Sequence, residues 1–180
     1  LQTLVFNNSL LSDSFINASG PSGRIGSLTI HGNLDGGVRS TQKIGRVQID
    51  GNLVGNITAP FLNMLKLGGG IGNGALTINT SVGTIQTVGD FGVAGSSLTI
   101  NGSLGTLKVG RNLNGMLTVL HNLRNMTVNG SILTGAKVAI GGTLGLLKVG
   151  GDVQAGATVH AQIIKKQVIK GRVLGTIIAP

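Results

Sequence analysis

Acidic residues are the first place to look for chemistry, and the chain has five: Asp13, Asp35, Asp50, Asp90 and Asp152, with no Glu. Hydrolysis by paired carboxylates needs two acids converging on one bond. Here the acids are far apart in sequence, and no local pairing is visible. The histidines, His31, His121 and His160, show no HxH or HExxH spacing, and a metal site needs converging ligands. No G-x-S-x-G elbow sets a serine beside a base. The run Gly68-Gly-Gly-Ile-Gly-Asn-Gly74 is phosphate-loop-like in composition, yet no Lys-Ser/Thr follows it. The calcium-binding nonapeptide of β-rolls is not matched either. The expectation is a chain without catalytic residues, metal or cofactor.

Charge carries more information. Fourteen Lys and Arg against five acids give a net charge of +9. Such an excess favours anionic polymers: acidic polysaccharide, nucleic acid or a lipid surface. Nucleic-acid readers add stacking aromatics, and this chain has four Phe and no Trp or Tyr. Acidic polysaccharide is the better fit. Seven Asn-x-Ser/Thr sequons, at Asn7, Asn17, Asn56, Asn79, Asn101, Asn125 and Asn129, are candidate glycosylation sites on a secretory route.

The elements that position these residues come from a repeat. The stretch Leu104-Gly-Thr-Leu-Lys-Val-Gly-Arg-Asn-Leu113 has apolar residues at template positions 1, 4, 6 and 10. That pattern is a corner, a short strand with Leu107 and Val109 inward and Lys108 outward, then a second corner. Copies start at Leu1, Ile25, Ile44, Leu62, Val82, Leu104, Leu123, Leu144 and Ile164. From Ile25 the starts are 19, 18, 20, 22, 19, 21 and 20 residues apart. Fixed-period similarity near 20 residues marks a solenoid. Each coil also holds a second short apolar-polar-apolar strand, as in Ile57-Thr-Ala59, Leu98-Thr-Ile100 and Ala157-Thr-Val159.

The expected fold is all-β: one parallel β-helix over residues 1–180, with about nine coils. At strand spacing that is a rod of ~40 Å. Coils of this length do not keep the strict hexapeptide count of left-handed solenoids, so a right-handed path is expected. A longer loop is expected from about Asn17 to Gly23, the least regular part. Gly at template position 8 is expected to allow a bend. Asn or Asp at position 9 tolerates left-handed backbone and bonds nearby backbone, which predicts a polar ladder along one edge.

The repeat arranges the charges. Lys66, Lys108 and Lys148 take the same outward position in alternate coils, with Gln86 between the first two. Lys165, Lys166, Lys170 and Arg172 gather near the last copy. Together these seven residues are the candidate contacts for an anionic polymer. Outward Lys also keeps strands from pairing laterally. Thr58, Thr77, Thr99, Thr118 and Thr158 form an expected outward column. Flat Thr arrays order water, but ice binding uses two adjacent columns and one is visible. Asp90 and Asp152 share position 9, three coils or ~14 Å apart, and are turn residues in this scheme.

The run Leu144-Gly-Leu-Leu-Lys-Val-Gly-Gly-Asp-Val153 resembles the Gly-rich β-solenoid repeats of large bacterial surface and adhesin-like proteins. The run Ile49-Asp-Gly-Asn-Leu-Val-Gly-Asn-Ile57 is similar to bactofilins, cytoskeletal β-helices that polymerise end to end. Bactofilins are richer in acids and have shorter, more even coils, a point of departure. The resemblance implies a structural rod, stalk or filament segment, extracellular or on the cell surface, with an adhesive or scaffolding role. The alternative is a carbohydrate-binding or carbohydrate-processing β-helix, which would need a groove lined by acids or aromatics. Residue 1 is Leu, no signal peptide is visible and no apolar run approaches a membrane span. The chain is therefore expected to be a mature form or an excised segment. Both ends are expected to be covered by further repeats or a stacked second copy, unless Leu11 to Gly23 folds over the first coil.

Overall fold

The computed structural model describes residues 2–72 and 75–180, with the side chain of Ala75 outside the description. The strands are β1 (Thr3–Phe6), β2 (Phe15–Ala18), β3 (Ile25–Ile30), β4 (Gly37–Ser40), β5 (Lys43–Ile49), β6 (Asn56–Leu67), β7 (Ala75–Thr87) and β8 (Ser97–Ile100). They continue as β9 (Ser103–Val109), β10 (Met116–Val119), β11 (Leu123–Val128), β12 (Lys137–Val149), β13 (Thr158–Ile164), β14 (Gln167–Ile169) and β15 (Thr176–Ile178). Among the described residues there is no helix, and every pairing between these strands is parallel. The chain is a β-solenoid of about nine turns, as the repeat predicts.

Register follows the template residue by residue. Position 4 stacks Leu4, Leu28, Val47, Leu65, Ile85, Leu107, Met126 and Leu147. Position 10 forms single-residue parallel bridges, Leu10–Leu34–Leu53–Ile71 and Phe91–Leu113–Ile132–Val153–Val173. Each coil thus has a first strand, a one-residue bridge and a second strand. In β6, β7 and β12 the second strand of one coil runs on into the first strand of the next.

Apolar side chains at positions 1, 4, 6 and 10 point inward and form continuous columns. From Ile25 to Val153 these aliphatic residues are essentially fully buried. Burying them, at ~25 cal/mol per Å2, drives the stacking. Leu107, Val109, Leu147 and Val149 are buried and Lys108 and Lys148 exposed, as predicted. In the first and last coils Leu4, Phe6, Ile164, Ile169 and Ile177 are half-buried against the same core.

Three local expectations need correction. Asn17 and Ala18 belong to β2, which pairs in register with β4, so the connection is confined to residues 19–24. Inward Ile16 and Ala18 anchor that strand, and the apolar Phe15 on its outward side obscured the alternation. This places Leu11–Gly23 beside the second coil as an ordinary coil segment, not as a cap over the first. Thr158 is not in the Thr column. It stands level with Lys137 and Thr176, because Val159, not Ala157, pairs with Val138. Ala139 and His160 continue the column beyond Thr58, Thr77, Thr99 and Thr118.

The third correction concerns position 9. No non-Gly residue among those described has positive φ, so Asn and Asp are not there for left-handed backbone. Their side-chain oxygens accept hydrogen bonds from the position-9 backbone N–H of the next coil. Asn52 N donates to Asn33 Oδ1 at 2.9 Å and Gly70 N to Asn52 Oδ1 at 2.9 Å. Asn112 N donates to Asp90 Oδ1 (2.8 Å), Ser131 N to Asn112 Oδ1 (2.9 Å), Asp152 N to Ser131 Oγ (3.0 Å) and Arg172 N to Asp152 Oδ1 (2.7 Å). Ser9 Oγ accepts from Asn33 N in the first coils.

This ladder explains the position-8 glycines. A Cβ on Gly51, Gly69, Gly130 or Gly171 would meet the accepting side-chain oxygen of Asn33, Asn52, Asn112 or Asp152 respectively. Glycine leaves the space that the acceptor of the coil below occupies. Asn112→Ala should therefore cost about 1–3 kcal/mol, the usual range when a donor is left without its partner. Gly130→Ala should cost less in that background than in the parent chain, and a double-mutant cycle by chemical denaturation measures the difference.

Candidate anion-binding surface

The outward face of the first strand carries template positions 3, 5 and 7. Position 5 stacks Thr29, Gln48, Lys66, Gln86, Lys108, Thr127 and Lys148 in continuous register. Successive lysines are two coil steps apart, ~9.6 Å. Lys108 and Lys148 are exposed and Lys66 half-buried. A shallow depression of about 590 Å3 lies beside the row, with Val88, Gly110 and Asn129 along its far side.

Two of the acids are engaged at the ladder edge. Asp90 and Asp152 are ladder acceptors, and Asp152 also pairs with Arg172 Nη2 at 3.5 Å. Asp50 is on this face at position 7, one coil before Lys66. Its Oδ1 accepts from Gln48 Nε2 at 3.0 Å, and its Oδ2 lies 2.7 Å from His31 Nδ1. The Gln48 amide and then His31 hold the Asp50 carboxyl below its ordinary pKa. From Leu62 to Lys170, positions 3, 5 and 7 hold five lysines (Lys66, Lys108, Lys148, Lys166 and Lys170) and no acid.

The C-terminal basic residues flank one short strand. Lys165 and Lys166 precede β14 and Lys170 follows it, with Lys166 and Lys170 at outward positions 3 and 7. Arg172 turns to the ladder edge and Asp152. All four are exposed. The three histidines lie in different coils, and no group of three His, Cys, Asp or Glu among the described residues could hold a metal ion. Of the sequon asparagines, Asn125 is half-buried and the others exposed. The glycine-rich run extends to Asn73 and Gly74, which lie outside the described residues. Its Gly70 is a ladder donor, a repeat role. No helix among the described residues is long and apolar enough to cross a membrane.

Sequence reasoning passed over Arg124. It stands one residue after Leu123, where the neighbouring coils have Gly105 and Gly145. A cation interrupting a glycine column was the available signal. The surface presents cations at fixed intervals, with Gln86 and Thr127 between them.

Compared with protein-family models, curated proteins and solved structures, the chain matches none.

Proposed function

We propose that the chain is a segment of a structural rod, stalk or filament, in the extracellular space or on a cell surface. The observation that supports this reading is the in-register parallel stacking of coils through about nine turns. Each coil rests only on its neighbours, so such a stack extends by addition and transmits load along its axis. Adhesive or scaffolding work falls to the outer faces. The partners in this reading are further coils or a second copy, end to end or lateral, and an acidic polysaccharide on Lys66, Lys108 and Lys148. Sedimentation and negative-stain electron microscopy at micromolar concentration test it. Assemblies that lengthen with concentration support it. A strictly monomeric species with no affinity for acidic polymers overturns it.

The reading includes no catalysis. It is supported by the ladder, which occupies the Asp90 and Asp152 carboxylates with backbone donors. The expected result is no turnover on a panel of neutral and acidic polysaccharides. Turnover abolished by Asp50→Asn, Asp90→Asn or Asp152→Asn would sink it.

A further inference from the structure

A groove of about 540 Å3 follows the corner that leads into the first strand. One wall is a column of small polar side chains, Ser81, Ser103, Asn122 and Thr143, one from each of four successive coils. The span from Ser81 to Thr143 is three coil steps, ~14 Å. The residues after the buried position-1 column alternate along the groove: Gly105, Arg124, Gly145, Lys165. The glycines let the coils approach closely, since a Cβ on Gly105 or Gly145 would meet the carbonyl oxygen of Gly83 or Arg124 below. No carboxylate lines the groove. Neither cation takes part in a salt bridge among the described residues.

We propose that this groove binds a linear acidic polysaccharide laid along the rod axis, with one carboxylate or sulfate for every two sugars. The proposal rests on the rod with an anionic-polymer face and narrows it to one site and one charge spacing. Arg124 and Lys165 are two coil steps apart, ~9.6 Å, the length of a disaccharide in an extended chain. A single small anion cannot reach both. A polymer carrying charge on every second sugar meets both at once.

The polar wall fits the remaining groups. Sugar hydroxyls donate and accept, and so do Ser, Thr and Asn side chains. The contacts within the wall use acceptor oxygens: Thr143 N donates to Asn122 Oδ1 at 2.8 Å and Asn122 N to Ser103 Oγ at 3.4 Å. The hydroxyl hydrogen of Ser103 and the amide hydrogens of Asn122 remain for a ligand. The volume lies within the usual ~300–1,000 Å3 of ligand sites. No aromatic side chain lines the groove to stack a base, which disfavours nucleic acid.

Calorimetric titration of the whole chain tests this, using a hexasaccharide that alternates glucuronate with N-acetylglucosamine. The controls are neutral cellohexaose and a short single-stranded DNA. The acidic hexasaccharide is expected to bind, and to weaken as salt rises. Arg124→Gln and Lys165→Gln should each reduce affinity about tenfold, the range of one charged hydrogen bond. Ser103→Leu, which fills the groove and leaves both cations, should also abolish binding while far-UV circular dichroism stays unchanged. Undiminished binding by both Gln variants overturns the groove. So does an equal loss in the Lys66→Gln, Lys108→Gln, Lys148→Gln triple variant, which would place the polymer on the lysine row and leave the broader reading standing. Equal binding of cellohexaose, or of DNA through Arg124 and Lys165, overturns the ligand class. No binding of any anion overturns the groove and the lysine row alike as polymer contacts, while the rod itself is judged by sedimentation and microscopy.

Discussion

Leu107→Asp is expected to abolish cooperative folding of the central coils, while Lys108→Asp, one residue along, changes stability by no more than about 0.5 kcal/mol. Leu107 is 0% exposed and stacks between Ile85 and Met126 in the position-4 column. Truncation of such a Leu to Ala alone costs about 2–5 kcal/mol. A carboxylate there adds the cost of a buried charge with no partner. The sum rivals the ~5–15 kcal/mol that holds a typical domain together. Because each coil contacts only its neighbours, the damage acts on two interfaces at once. Lys108 is exposed on the opposite side of the strand, so its replacement changes charge and not packing. Thermal melts followed by circular dichroism, with hydrogen exchange across Val82–Val128, separate the two variants. An unchanged melt for Leu107→Asp would defeat the register.

Phe91→Ala should cost about 3–5 kcal/mol, and Phe91→Leu less than about 1.5 kcal/mol. Phe91 is the largest of the fully buried side chains and is 1% exposed. It fills a position-10 place that Leu, Ile or Val fills in the other coils, bridging to Leu113. The alanine leaves a cavity between rigid backbones that are hydrogen-bonded coil to coil, as Phe91 N is to Asn112 O at 2.8 Å. That ladder resists collapse into the space, so the cost lies toward the upper part of the range. Leucine fits because the column is already built for branched aliphatics. Urea unfolding measures both, and a loss below about 1 kcal/mol for Phe91→Ala would mean that the coil closes over the gap.

Much of this architecture is legible in the residues. Apolar places at 1, 4, 6 and 10 recur with β-branched and leucine side chains, and that pattern alone predicts which residues stack. The Lys66, Lys108 and Lys148 row follows from the same count, since an outward place stays outward in every coil. The second strand was less legible. At the start of β13 the sequence Ala157-Thr-Val159 mimics the apolar-polar-apolar signal two residues early, because Ala157, just before the strand, is a buried corner residue. Only pairing with Val138 resolves it.

Sequence by itself determined the coil length, the inward columns and the basic excess, because burial of aliphatic side chains is a local choice repeated at a fixed period. Tertiary structure decided what lies between coils. The coupling of a position-8 glycine to the position-9 acceptor below it joins residues of different repeats, such as Gly130 and Asn112. So does the groove, whose cations Arg124 and Lys165 are neighbours only after two coil steps. These features depend on the stacking distance between parallel strands, a property of the assembled rod that no single repeat contains.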